Sequence, residues 1–329
     1  MVWLEFVISA GLIVVAAAQL AKYGDVIAVR TGLGGMFIGV VLMAGATSLP
    51  EVLTSINAVW QGAPNLAAGN LLGSNMFNML LLVILDLVHQ NERILRKAAI
   101  KHALSGSSAV LMITMVVFFL LDEFTWQVGW VGVDSILLML AYLAVVYFIQ
   151  DEQSQVVKVE VEQELPGDFP TLRRGLIGFG IAAASLLVLT PWMVDSSNRI
   201  ADITGLGTTF IGTTLVALVT SLPELVTTIA AAKLGADDMA IGNLFGSNMF
   251  NMFAFGLTDL FFTQGRFFAV VDPAFLLISV LGLLMTVMAL VGNLARIKRR
   301  LLFIEIDALA LMIVYLIGMW MLYSRGLGL

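Results

Sequence analysis

Two glutamates, Glu51 and Glu224, each stand among oxygen-bearing side chains inside an otherwise apolar segment. Thr47 and Ser48 precede Glu51 by four and three residues, which places all three on one face of a helix. Ser74 and Asn78 lie four residues apart in the next apolar run, and Thr220, Ser221, Glu224, Ser247 and Asn251 repeat the whole set. These side chains offer oxygen and neither sulfur nor imidazole, the ligand chemistry of hard cations such as Ca²⁺ and Na⁺. A proline sits beside each glutamate. Pro50 and Pro223 each remove a helix hydrogen bond and push against the carbonyl four residues back, that of Ala46 or Val219. The turns at 44–47 and 217–220 are therefore expected to open and present free carbonyls.

The elements that carry these residues occur twice. Residues 31–78 recur as 204–251 without a gap at an offset of 173, with 29 identities in 48 positions, Thr-Ser-Leu-Pro-Glu and Gly-Ser-Asn-Met-Phe-Asn among them. A hydrophobic content of 60%, a charged content of 12% and a mean hydropathy of +0.98 make the chain an integral membrane protein. In hydrocarbon, polar side chains are costly, and their duplication points to one site built from two copies. The absence of cysteine excludes disulfides and thiolate metal sites, and the only histidines, His89 and His102, flank a basic loop rather than forming a zinc site. No basic patch with interleaved aromatics suggests nucleic acid, and no protein partner is inferred. The first apolar stretch lacks the basic start of a secretory signal and is read as a permanent span.

The apolar runs predict an all-α integral membrane protein with ten transmembrane helices, at 2–22, 34–60, 64–88, 99–121, 126–149, 172–193, 207–232, 237–262, 269–294 and 302–323. With the N-terminus outside, 14 of the 17 Lys and Arg residues fall on the cytoplasmic side, and only Arg199, Arg266 and Arg325 fall outside. This gives N-out/C-out. Five spans per half is odd, so the halves enter the membrane from opposite sides, as inverted repeats. The expected divisions are residues 1–149 as the first five-helix repeat, 150–171 as a cytoplasmic polar linker, and 172–329 as the second repeat. Val159 and Val161 alternate with acids, but the segment reads as plain linker.

Two ionised glutamates match one Ca²⁺ in charge. Without it, the pair is expected to hold a proton or Na⁺, and that competition is a physical basis for antiport. Single Ser and Thr residues in such helices often bond back to their own helix. The runs Gly69-Asn70-Leu71-Leu72-Gly73 and Gly242-Asn243-Leu244-Phe245-Gly246 are expected to pack helices closely. Asn70, Asn75, Asn243 and Asn248 are expected to brace the helix breaks. Two further acidic pairs obey the offset, Asp86 with Asp259 and Asp134 with Asp307, and read as solvated anchors near helix ends, with a vestibule role as the alternative.

These duplicated motifs resemble the alpha repeats of the calcium/cation antiporter superfamily, in its Na⁺/Ca²⁺ exchanger-type branch. The chain lacks the Gly-Asn-Ala-x-Glu form typical of the proton-coupled branch. The resemblance implies an antiporter rather than an enzyme, with no resident cofactor and with Ca²⁺ and Na⁺ as transported ions. It implies that ions bind at mid-membrane between the repeats, and that spans one and six slide across a rigid core. By motif, the ligands would be Glu51, Glu224, Thr47, Thr220, Ser48, Ser221, Ser74, Ser247, Asn78 and Asn251, with the carbonyls of Ala44 and Ala217. Several family members carry Asp where this chain has Asn251, so the amides Asn78 and Asn251 are expected to face each other. That change leaves the coupling ion and stoichiometry open. The alternatives are a cation/H⁺ exchanger, an exchanger of another divalent cation, and a cation channel. The expected location is a plasma or inner membrane.

Overall fold

The computed structural model describes residues 1–31, 44–88, 103–122, 125–154, 170–233, 237–295, 300–301 and 304–326. Helix α1 spans Val2–Thr31. The second apolar run gives α2, Ala44–Thr47, and α3, Leu49–Trp60, with residues 34–43 of the expected span outside the described set. Helix α4 spans Pro64–Val88 and α5 Ala103–Leu121. A two-stranded hairpin follows, β1 Gln127–Val128 paired antiparallel with β2 Val131–Gly132, and leads into α6, Val133–Ser154.

The second half opens with α7, Leu172–Thr204, and α8, Gly207–Ile211. A π-helical turn over Gly212–Val216 leads into α9, Ala217–Thr220. After it come α10, Leu222–Lys233, and α11, Asp237–Phe261. The short α12, Phe267–Val270, precedes α13, Ala274–Ala295. A second hairpin, β3 Arg300–Leu301 with β4 Ile304–Glu305, then runs into α14, Ile306–Gly326.

The offset of 173 extends far beyond the similar sequence. The hairpins pair Gln127 with Gly132 and Arg300 with Glu305, and α6 and α14 start at Val133 and Ile306. Packing is reciprocal as well. Helix α1 crosses α7, α4 crosses α11, and α5 packs on α13. Where α4 meets α13 and α14, α11 meets α5 and α6.

Several helix limits differ from the sequence expectation. Helix α1 continues past residue 22 and α7 past 193, because neither Lys22-Tyr23 nor the region after Pro191 contains a helix stop. The stop comes at Gly205, whose φ of +70° suits a left-handed cap. Helix α6 starts seven residues later than expected, after Gly129 (φ +68°) has turned the chain into the hairpin. It also runs to Ser154, into the expected linker, of which 155–169 lie outside the described residues.

Among the described residues, seven helices are long and apolar enough to cross a membrane. The second expected span is described only from residue 44, Val133–Ile149 is shorter, and Asp237–Phe261 is long enough but carries Asn243, Ser247, Asn248, Asn251 and Asp259.

Candidate ion-binding site

The break before each glutamate falls on a serine. Ser48 (φ −88°, ψ 6°) separates α2 from α3, and Ser221 (φ −88°, ψ 4°) separates α9 from α10. The prolines then occupy the first turn of the new helix, where a missing N–H leaves no bond unmade. The preceding turns do not open. Ser48 N–H donates to the Ala44 carbonyl at 2.9 Å and Ser221 N–H to the Ala217 carbonyl at 3.1 Å. Thr47 also donates back to the Ala44 carbonyl at 3.3 Å, whereas Thr220 Oγ1, 3.3 Å from the Ala217 carbonyl, has a shorter acceptor in Asn70 Oδ1 at 2.9 Å. The Ala44 carbonyl thus has both lone pairs engaged within its own half, and the Ala217 carbonyl keeps acceptor capacity.

The serine side chains do not cap their own helices. Ser48 Oγ donates to Glu224 Oε1 at 2.9 Å, and Ser221 Oγ donates to Glu51 Oε1 at 3.1 Å. Each half therefore supplies the hydroxyl that holds the other half's carboxylate. Ser247 adds a long contact to Glu224 Oε1, 3.5 Å, while Ser74, its repeat mate, has no hydrogen-bond partner among the described residues. Glu51, Glu224, Thr47, Thr220, Ser48, Ser221, Ser74, Ser247, Asn78 and Asn251 are all fully buried.

At the crossing of α4 and α11, four amides interlock. Asn78 Nδ2 donates to Asn248 Oδ1 at 3.0 Å, and Asn251 Nδ2 donates to Asn75 Oδ1 at 3.1 Å. Asn78 and Asn251, expected from sequence to face each other, do not hydrogen-bond to each other, because each donates to the opposite helix one turn away. This commitment leaves Asn78 Oδ1 and Asn251 Oδ1 without partners, together with Glu51 Oε2 and Glu224 Oε2. Buried oxygens left unpaired are costly unless a cation or water takes them.

Asn70 braces the first break as expected, donating to the Glu51 carbonyl and to Ser55 Oγ, both at 2.9 Å, and accepting from Thr220 Oγ1 at 2.9 Å. Asn243 instead donates to Thr227 and Thr228. The close approach behind this network depends on glycine. A Cβ on Gly69 would stand 2.8 Å from Thr213 N, and one on Gly73 2.5 Å from Thr213 O, so α4 lies directly against the π-turn.

The second acidic feature is not solvated. Asp134 and Asp259 are fully buried; Asp259 accepts from Gly132 N–H at 2.7 Å and Phe267 N–H at 2.6 Å, while Asp134 pairs with Arg266. These bonds staple the β1–β2 hairpin to the loop before α12. Asp307 accepts from its neighbour Ala308 N–H at 3.0 Å, and the side chain of Asp86 lies outside the described set.

The profile of the sodium/calcium exchanger protein family matches residues 1–150 and 174–324. The inner membrane protein YrbG of Escherichia coli is 31% identical over 252 residues, 73% of this chain and 74% of that one. The sodium/calcium exchanger MaX1 of Methanosarcina acetivorans is 27% identical over 283 residues, 73% of this chain and 77% of that one. Among solved structures, the sodium-calcium exchanger NCX_Mj superposes with a TM-score of 0.63 at 22% identity, covering 97% of this chain and 99% of its own. The H⁺/Ca²⁺ exchanger CAX superposes with a TM-score of 0.74 at 14% identity, covering 99% and 85%.

Proposed function

Since this chain belongs to the sodium/calcium exchanger protein family, a family of multi-pass membrane antiporters, we propose that it exchanges Ca²⁺ for Na⁺ by alternating access, with the ions held between its two halves. Glu51 and Glu224 supply the charge. Ser48, Ser221, Ser74, Ser247, Thr47, Thr220, Asn78 and Asn251 supply neutral oxygens, and the carbonyls of Ala44 and Ala217 complete the set, that of Ala44 by giving up its 3.3 Å bond from Thr47. One observation carries this reading. Four buried side-chain oxygens, Glu51 Oε2, Glu224 Oε2, Asn78 Oδ1 and Asn251 Oδ1, have no hydrogen-bond partner among the described residues, while the polar groups beside them point the other way to hold the frame.

The same reading takes the halves, 1–149 and 172–329 joined through 150–171, as five spans each, inverted, with both termini outside. The bias of Lys and Arg toward one set of loops supports it, as do the reciprocal packing and the paired hairpins at the common offset. Sodium is preferred as the coupling ion because MaX1, similar along most of this chain, is named a sodium/calcium exchanger. Coupling to H⁺ is the second reading, favoured by the fold shared with CAX.

Purified protein in liposomes preloaded with Na⁺, K⁺ or choline, with a proton gradient as a separate condition, tests the proposal through uptake of radioactive Ca²⁺. Uptake should require internal Na⁺ and vanish in both Glu51→Gln and Glu224→Gln. Uptake indifferent to Na⁺ but driven by the proton gradient would transfer the proposal to its second reading. Wild-type uptake in both glutamine variants would remove the site itself.

A further inference from the structure

The two halves match at the ion site but not where α3 meets α7. Asn57 Nδ2 donates to Thr190 Oγ1 at 3.0 Å, and Gln61 Nε2 donates to the Pro191 carbonyl at 3.2 Å. Asn57 and Gln61 are one helical turn apart, so they form a two-point clasp on the turn of α7 that contains its internal proline. Applied to the clasp, the offset leads to Ala230, Leu234, Ala17 and Ala18. None of these side chains can hydrogen-bond. The clasp is therefore encoded at only one of two repeat-related interfaces, that of α3 with α7 and not that of α10 with α1.

Helices α1 and α7 are themselves tied together. Arg199 Nη1 meets Glu5 Oε2 at 2.6 Å near one end of the pair, and Arg30 Nε donates to the Pro170 carbonyl at 2.9 Å near the other. Between these ties Gly178 lets the Tyr23 ring lie against the α7 backbone. A restraint on α7 is thus also a restraint on α1.

In a carrier built from inverted repeats, the two access states differ by exchanging the roles of the halves. Contacts present in both halves stabilise both states and cancel. A contact present at only one of two repeat-related interfaces stabilises one state, and the bias equals its free energy. We propose that Asn57 and Gln61 are positioning residues that shut the gap between α3 and α7 at their Gln61 and Pro191 ends, so that the carrier rests with that face closed. This rests on the alternating-access reading above. By the basic-residue orientation, the closed face is the outer one.

Because the chain contains no cysteine, a single introduced thiol is its only one. Leu186 is fully buried one turn below Thr190 on the same face of α7, so Leu186→Cys reports opening of this gap. A membrane-impermeant maleimide is applied from the outer face in the Leu186→Cys background, with and without Thr190→Val or Asn57→Leu. Thr190→Val keeps the shape, and Asn57 Nδ2 retains its 2.8 Å bond to the Leu53 carbonyl while its second N–H loses its acceptor. One hydrogen bond of this kind corresponds to about a fivefold shift in the population of the open state. Labelling should accelerate about fivefold in each single variant and no further in the double variant, because both remove the same bond. Leu138→Cys, buried in α6, should label at its original rate.

Unchanged labelling at Leu186→Cys would overturn the proposal. Equal acceleration at Leu138→Cys would also overturn it, since that reports general loosening. The labelling needs no transported ion. A failure of Ca²⁺/Na⁺ exchange in liposomes therefore leaves this result standing, and an inert clasp leaves the ion site standing. Where exchange is measurable, the half-saturating Ca²⁺ concentration should fall at the outer face and rise or hold at the inner face.

Discussion

Replacing Gly73 with alanine tests how the site depends on the contact between α4 and the π-turn. The added methyl would lie 2.5 Å from the Thr213 carbonyl oxygen, 2.8 Å from Thr213 Cα and 2.9 Å from Ala217 Cβ. Two of these neighbours are backbone, so no rotamer change relieves the overlap. Carbon atoms rest about 3.5–4 Å apart, so α4 and the turn must separate by roughly 0.5–1 Å. Overpacking of this kind costs about 1–3 kcal/mol in stability. The larger effect is on the ion site, because Ala217 opens the short helix that ends at Ser221. The Ser221–Glu51 bond spans 3.1 Å, and a further ~0.5–1 Å takes it beyond hydrogen-bonding distance. Loss of a hydrogen bond to a charged group corresponds to about 1.5–3 kcal/mol, or roughly 10–100-fold in affinity. Gly73→Ala should therefore raise the Ca²⁺ concentration for half-maximal uptake by at least about tenfold while the protein stays monodisperse in detergent. Gly282→Ala is the matched control, since its nearest neighbour would be Met76 Cγ at 3.6 Å. Wild-type affinity in Gly73→Ala would refute the claim that this crossing sets the register of the site.

Three other outcomes follow from the same geometry. Ser48→Ala and Ser221→Ala each remove one crossing hydroxyl, so each should weaken Ca²⁺ uptake by about 10-fold or more, to a similar degree; a strong effect in one and none in the other would show that the two crossings are not equivalent. Asn248→Ala leaves Asn78 Nδ2 buried without its acceptor and should lower stability by about 1–3 kcal/mol, read as a lower melting temperature in detergent. Arg266→Ala leaves Asp134 buried without its cation and should cost about 3–5 kcal/mol, whereas Arg199→Ala at the exposed Glu5 pair should cost about 0–1 kcal/mol. Equal melting temperatures for those two variants would contradict the burial assigned to Asp134.

The chemistry of the site is legible because polar residues are rare in these segments and Thr47, Ser48, Glu51, Ser74 and Asn78 all recur at the one offset. Helix α4 begins at Pro64, where its sequence predicts. Other features left no such trace. The strands of both hairpins have two residues each, too few to show a period, so β1, β2 and β4 fall inside the spans expected from sequence and β3 falls just before one. The unopened turns before Ser48 and Ser221 depend on where the chain bends, and proline fixes only that a bend lies nearby. The pairing of Asn78 with Asn248 rather than Asn251 depends on the register of α4 against α11, a property of two helices in contact that no single segment encodes. Asp134 and Asp259 looked solvated because they lie near helix ends; burial came from the loop and hairpin that fold over them.

The crossed serine–glutamate pairs also bear on ancestry. A half-length chain would hold one carboxylate and one serine unable to reach it, so it could assemble this site only by meeting a copy inserted the other way up. Such an ancestor would need nearly balanced loop charges to insert in both orientations. Once the halves share one polypeptide, each copy keeps a single orientation and can change independently of its mate. Asn57 and Thr190, whose repeat-equivalent positions are the alanines Ala230 and Ala17, are differences that only a fused chain could confine to one side.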